Sequence, residues 1–188
     1  MHLKFIETEL QGVIIVEPAV FNDGRGYFLE TYHYKKYSEN SIDLNFVQDN
    51  HSHSVKGTLR GLHYQLKHAQ GKLLYTMKGE IFDVAVDIRR GSSTFGRWAG
   101  VILSSDNKRQ LYVPPGFAHG FCVLSEEADV TYKCTDFYAP DDEYGITWND
   151  PEIAIRWPIT DPVLSDKDSK FKTLKDIPEY SLPLYSDI

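Results

Sequence analysis

Short apolar or alternating runs, each closed by turn residues, make up most of the chain. Runs of this kind, rich in Val, Ile, Tyr and Phe, are typical of β-strands, and about ten of them occur. We predict strands at 12–18, 26–32, 45–48, 59–65, 72–77, 80–88, 98–103, 110–113, 119–124 and 130–138.

Turn residues separate the predicted strands, at 23–24, 78–79, 90–92, 104–107 and 114–116. Many short strands at such spacing favour a closed barrel, a sandwich or a jelly roll. Helical periodicity is scarce, and it predicts only a short helix at 34–40 and a turn or two at 167–174. The last residues, 178–188, contain two prolines and are predicted to form an extended tail. The fold class is therefore mainly β.

The balance of charge limits the ligands that this chain can bind. Its 188 residues include 20 Lys and Arg against 27 Asp and Glu, which gives a formal net charge of −7. That length fits one domain at 1–188, with a core at about 5–168 and a C-terminal segment at 169–188. The acidic balance, without a basic block, argues against a nucleic-acid partner. An anionic ligand must be held by a few well-placed cations.

Cysteine usage and hydropathy predict the compartment. Cys122 and Cys134 lack the spacing of a zinc site or a disulfide framework. Residues 1–13 mix charged with apolar positions, unlike a signal peptide, and no run is long enough to span a membrane. We expect a reduced, cytoplasmic protein with no membrane partner.

The predicted strand at 59–65 carries the first candidate chemistry. Strict alternation places Gly61 and His63 on one face and Arg60 on the other. Arg60 and His63 can serve one pocket only if Gly61 lies at a bulge or bend. Taken alone, His63 fits a buried structural histidine better than a functional one.

The predicted strand at 130–138 brings two tyrosines to one face. By the period of two, Tyr132, Cys134, Asp136 and Tyr138 point the same way. Tyr132 and Tyr138 could therefore face one cavity, although spacing alone favours a structural pair.

Two histidine patterns raise the question of a metal. His119 follows a Pro-Pro-Gly turn and matches half of the metal motif of cupin jelly rolls, but Gln65 stands where the other half requires a histidine. His51 and His53 have the spacing of a metal-binding strand, yet their run is polar and lacks a nearby third ligand. We interpret that run as a solvated loop and predict no metal site.

Two cations are candidates for binding or stabilising an anion. Arg25 lies between two glycines, which leaves its guanidinium free to bind an anion bidentately. A surface arginine in a turn explains Arg25 equally well. Lys72 opens a predicted strand, where a lone lysine is usually solvated.

Taken together, segments spread along the chain resemble the dTDP-4-dehydrorhamnose 3,5-epimerases. The segments are Asp23-Gly-Arg-Gly-Tyr-Phe, Gln48-Asp-Asn-His-Ser, Leu59-Arg-Gly-Leu-His-Tyr-Gln, Gln70-Gly-Lys, Gly79-Glu-Ile-Phe-Asp-Val-Ala-Val-Asp-Ile-Arg, Pro115-Gly-Phe-Ala-His-Gly-Phe and Tyr132-Lys-Cys-Thr. The resemblance runs from about residue 5 to 168. It implies a cupin-type double-stranded β-helix (jelly roll) with a few short helices, and a homodimer that exchanges N-terminal strands. It also implies an enzyme that needs no metal or other cofactor.

The resemblance implies conversion of dTDP-4-dehydro-6-deoxy-D-glucose to dTDP-4-dehydro-L-rhamnose. Carbons 3 and 5 flank a ketone, so a base can remove either hydrogen and an acid on the opposite face can invert the centre. By resemblance, His63 is the base, Tyr132 the acid and Lys72 the cation that stabilises the enolate. Asp168 is implied behind His63. The sequence after Asp168 matches the family only loosely.

The resemblance also implies the residues that bind the substrate. Arg25 and Arg60 match diphosphate contacts, and Tyr138 matches the ring that stacks on thymine. Because N-terminal strands are exchanged in the family, Arg25 and Glu30 are expected to serve the neighbouring chain's site. The implied binding set is completed by Gln48, Asn50, Lys72, His119, Glu143 and Lys167.

Three other interpretations remain open from the sequence. An epimerase acting at carbon 3 or carbon 5 alone would carry the same residues. A metal-dependent cupin enzyme would use His119 with His63, although Gln65 counts against it. A non-catalytic nucleotide or sugar binder would bind dTDP without exchanging hydrogen with solvent.

Overall fold

The computed structural model describes residues 2–187, and thirteen strands occur within them. The strands are β1 (Lys4–Glu7), β2 (Ile14–Glu17), β3 (Val20–Asp23), β4 (Gly26–Leu29), β5 (Gln48–Val55), β6 (Leu59–Gln65), β7 (Lys72–Lys78), β8 (Glu80–Asp87), β9 (Trp98–Ser104), β10 (Gln110–Val113), β11 (Phe117–Val123), β12 (Glu127–Cys134) and β13 (Glu143–Gly145). One short helix, α1 (Tyr34–Ser38), follows β4. The prediction of a mainly β fold is confirmed.

Two antiparallel sheets enclose the core. One has the order β1-β2-β10-β7-β12-β5 and the other the order β13-β6-β11-β8-β9. Leu74 and Val130 from the first sheet pack with Ile81 and Phe121 from the second, all nearly excluded from solvent. Each such burial contributes about 1.5–3 kcal/mol before the entropy cost of folding. The two sheets therefore form one apolar interior, with β5 and β13 at open edges.

The hairpin of β3 and β4 stands apart as a two-stranded sheet. Its aromatic residues are exposed, with Phe21, Tyr27 and Phe28 at 61%, 56% and 70%. Phe21 and Phe28 are register partners and share one face of the hairpin, where they form an exposed apolar surface of the kind that marks an interaction site.

The solvated loop predicted at 51–53 is wrong, because these residues lie in β5. His51 and His53 point outward, and both contact Asp129 Oδ1 of the neighbouring β12 at 3.1 Å. Polar residues at the inward positions hid the alternation of hydrophobicity that normally indicates a strand.

Other predicted boundaries also change. The strand predicted at 130–138 ends at Cys134, and the short strands β1, β3 and β13 were not predicted. The tail is not extended: it contains 3-10 turns at Glu179–Ser181 and Tyr185–Asp187, and Leu182 is buried. Residue 188 of the predicted tail lies outside the described residues. Within residues 2–187, no helix is long and apolar enough to cross a membrane.

Candidate active site

Two adjoining cavities of about 240 and 220 Å³ open between the sheets. The residues that line both are His63, Lys72, Tyr132, Tyr138 and Glu143. Gln48 and Asn50 line the first cavity, and Arg60, His119 and Lys167 line the second. Side chains far apart in the chain, many of them titratable, thus converge on one concave site, which is the usual form of a small-molecule site.

A distortion at Gly61 brings Arg60 and His63 to the same cavity. The register of β6 against β11 shifts between His119 and Phe121, and Gly61 has a φ of 122°. A Cβ at Gly61 would lie 2.6 Å from the Cα of Gly120, so only glycine fits this close crossing. The chain thus has at Gly61 the bend that a shared pocket for Arg60 and His63 requires.

His63 contacts a buried carboxylate. Its Nε2 lies 2.6 Å from Oδ1 of Asp168, whose side chain is 4% exposed. Burial raises the pKa of Asp168, but hydrogen bonds from His63 and Ser165 and the backbone of Gly61 outweigh it and hold that pKa below its ordinary value. The carboxylate is therefore ionised at neutral pH and can accept a hydrogen bond from the imidazole.

Tyr132 and Lys72 come from the sheet opposite His63. They lie on the neighbouring strands β12 and β7. Burial raises the pKa of the Tyr132 hydroxyl, so this group stays protonated through the neutral range. Burial lowers the pKa of the Lys72 ammonium, since its desolvation outweighs the attraction of Cys134 and Glu143. A base and a proton donor thus face one cavity from opposite walls, with a cation beside the donor.

The nucleotide-side residues predicted by resemblance are connected to one another. Gln48 Nε2 donates to Oδ1 of Asn50 at 3.0 Å, and Gln48 Oε1 accepts the backbone N–H of Tyr138 at 2.9 Å. Tyr138 lies beyond the end of β12, so its predicted placement by strand alternation is wrong. The bend after Cys134 brings its ring to the cavity instead.

Glu143 joins two segments at the cavity mouth. Its Oε2 accepts the hydroxyl of Tyr138 at 2.8 Å, and its Oε1 accepts Lys167 Nζ at 2.8 Å. Burial raises the pKa of Glu143, but these two partners lower it below its ordinary value. Lys167 directly precedes Asp168, so the mouth is linked to the carboxylate behind His63.

His119, which lines the second cavity, contacts a buried carboxylate behind it. Nε2 of His119 contacts Oδ1 of Asp83 at 2.9 Å, and Asp83 is fully buried. Asp83 was missed by the sequence analysis, although a carboxylate inside an apolar strand was a visible signal.

Arg25 and Glu30 do not reach the cavity of their own chain. Arg25 is paired with Asp23 at 2.6 Å on the exposed β3–β4 hairpin, and Glu30 is paired with Lys36 at 2.7 Å. Neither residue lines either cavity.

No metal-binding group of three or more His, Cys, Asp or Glu side chains is found among residues 2–187. Gln65, at the position where a cupin metal motif has histidine, binds the protein backbone instead. Its Nε2 donates to the carbonyls of His68 and Phe137 at 2.6 and 3.1 Å.

Comparisons with known proteins agree on one family. A family model described as dTDP-4-dehydrorhamnose 3,5-epimerase matches residues 7–176. The protein of that name from Methanothermobacter thermautotrophicus is 51% identical over 180 residues, 94% of this chain and 97% of its own. The one from Shigella flexneri is 56% identical over 168 residues, 88% and 93% of the two chains.

A solved structure extends the likeness to the whole fold. The dTDP-6-deoxy-D-glucose-3,5-epimerase of Legionella pneumophila, crystallised with dTDP-4-keto-L-rhamnose, is 53% identical. It covers 98% of this chain and 99% of its own, with a TM-score of 0.95. The predicted cupin-type fold is confirmed.

Proposed function

The chain belongs to the dTDP-4-dehydrorhamnose 3,5-epimerase family, and on that premise we propose that it converts dTDP-4-dehydro-6-deoxy-D-glucose to dTDP-4-dehydro-L-rhamnose. The observation that carries the proposal is the placement of His63 with Asp168 on one wall of the cavity and Tyr132 on the other. Inversion at carbon requires a base and an acid on opposite faces of the sugar ring, and this arrangement supplies both.

His63 removes the proton. Its Nε2 is engaged by Asp168, so its Nδ1 faces the sugar and takes the hydrogen from carbon 3 or carbon 5. The electrons of the broken C–H bond move into the ketone and form an enolate. Asp168 stabilises the imidazolium that results and holds the ring in one orientation.

Lys72 stabilises the enolate oxygen. A cation in a site withdrawn from bulk water contributes about 3–4 kcal/mol to such a transition state. Tyr132 then gives its hydroxyl proton to the opposite face of the carbon, and solvent restores both groups. The same set serves carbons 3 and 5 in turn, so proton transfer by these side chains accounts for both inversions.

The nucleotide half is held by Arg60 on the diphosphate and by Tyr138 stacked on thymine. Gln48, Asn50, Glu143 and Lys167 supply the polar contacts, and His119 contacts the sugar. These residues form one continuous lining with the proton-transfer groups.

Both cavities belong to a single domain at 1–188. Two free buried cysteines support a reducing, cytoplasmic setting.

The active form is a homodimer in which the β3–β4 hairpin reaches the neighbouring chain. The exposed aromatic residues of the hairpin support this arrangement, as does the open edge of β5. A partner's hairpin added at that edge would bring Arg25 toward Gln48 and Asn50.

Two experiments test these proposals. The purified chain should yield dTDP-4-dehydro-L-rhamnose, identified by NMR against the authentic compound, whereas the H63A variant should bind dTDP but form no product. For the dimer, inactive R25A and inactive H63A chains are unfolded and refolded together. Half of the dimers should then be mixed, and each mixed dimer should have one intact site of two, so about a quarter of wild-type activity is expected. Product from H63A alone would contradict the role of the base. Absence of rescue would contradict the shared site.

A further inference from the structure

A second histidine–carboxylate pair lies beside the first. His119 on β11 is the register partner of His63 on β6, so the two imidazoles come from directly opposed positions. Asp83 lies on β8, opposite Phe121 of β11 and therefore diagonal to His119. Its Oδ1 accepts from His119 Nε2 at 2.9 Å.

The ring of His119 lies between this carboxylate and the cavity. His119 lines the cavity and is 6% exposed, and Nε2 is its ring nitrogen engaged by Asp83. Nδ1 makes no hydrogen bond within residues 2–187. This nitrogen is therefore available to a ligand in the cavity.

A contribution to the stability of the fold does not explain why a carboxylate, Asp83, is buried here. It is 0% exposed, and its Oδ2 is buried without a hydrogen-bond partner in the described part of the chain. A buried carboxylate with an unpaired oxygen is costly, and such groups in folded proteins call for a specific explanation. The pairing with a cavity-lining histidine provides one.

Resting on the proposed function, we propose that Asp83 is a positioning residue that acts through His119. By accepting the Nε2–H of His119, Asp83 fixes both the tautomer and the direction of the ring. Nδ1 then presents a lone pair to a hydroxyl group of the 4-keto sugar. Asp83 itself does not touch the substrate.

The test is a double-mutant cycle on Asp83 and His119, with kcat, KM and thermal melting measured for each variant. We expect D83N and H119A each to lower kcat/KM by about tenfold to a hundredfold, the range typical of removing the hydrogen-bond partner of a metal-bound histidine. If Asp83 acts only through His119, the double variant should lose no more than H119A alone. H119Q, whose amide can bond to Asp83, should exceed H119A in activity only while Asp83 is present.

Asp87→Asn is the matched control, because Asp87 is equally buried on the same strand but binds Arg89 away from the cavity. It should melt at a lower temperature with kcat/KM unchanged. Additive losses in the cycle, or wild-type kcat/KM in D83N, would overturn the inference. If D83N does not fold, equal activities of H119Q and H119A would overturn it. Wild-type protein without epimerase activity would instead overturn the proposed function.

Discussion

Replacing Asp168 with Asn tests the proposed support of the base. The His63–Asp168 contact is 2.6 Å long, and the carboxylate side chain is only 4% exposed. A hydrogen bond of this charged type contributes about 1.5–3 kcal/mol, and it strengthens as His63 gains a proton. Its loss should therefore fall mainly on the transition state. At about 1.4 kcal/mol for each factor of ten, kcat should fall about 10- to 150-fold.

The assay is steady-state turnover of the 4-keto sugar, with dTDP binding measured in parallel by calorimetry. Binding should be unchanged, because Asp168 lies behind His63 rather than at the nucleotide. D166N is the matched control, since Asp166 is an exposed carboxylate in the same segment, and its kcat should equal that of wild type. Wild-type kcat in D168N, or an equal loss in D166N, would refute the reasoning.

Three further predictions follow from other groups. Burial lowers the pKa of Lys72 and raises that of Tyr132, so the alkaline limb of the pH–rate profile should reflect loss of the Lys72 proton, with a pKa below 10.5. Any active K72R variant should shift this alkaline limb to higher pH. An alkaline limb that does not move would contradict the role of Lys72. Y132F should still exchange substrate hydrogen with D₂O through His63 but invert carbon 5 far more slowly, as NMR would show; full inversion would exclude Tyr132 as the acid. Burial raises the pKa of Asp87, but hydrogen bonds, first of all the one from Arg89, outweigh it and bring the pKa below 3.8. The ionised carboxylate therefore stabilises the fold above about pH 3.8, and this stabilisation is lost as the pH falls through the lower pKa of the folded state. Urea unfolding of D87N should show a weaker acid dependence than that of wild type, and identical profiles would contradict this.

The fold class was predictable because most strands bury one face. In β12, apolar residues recur at alternate, inward positions, whereas β8 is an almost continuous apolar run that is buried on both faces. Turn residues mark the ends of both strands. β5 escaped prediction because its inward positions, Gln48, Asn50 and Ser52, are polar. They face the cavity rather than the apolar core, so the site itself removed the signal on which the prediction depends.

The contacts within the site are long-range, and local patterns do not encode them. His63 and Asp168 are 105 residues apart in sequence, so only the family resemblance could suggest their pairing. The bend at Gly61 was deducible, since Arg60 and His63 could not otherwise share a pocket. Asp83 was visible as a charge within an apolar strand, but its histidine partner lies on a different strand.

The most direct test of the central claim is proton NMR of the wild-type chain with dTDP-4-dehydro-6-deoxy-D-glucose in D₂O, with and without a chelator. If His63 and Tyr132 carry out both inversions, deuterium should enter at carbon 3 and carbon 5, and the chelator should have no effect. Incorporation at one carbon alone would identify a single-site epimerase. Loss of incorporation with the chelator, or none in either sample, would contradict metal-independent double epimerisation.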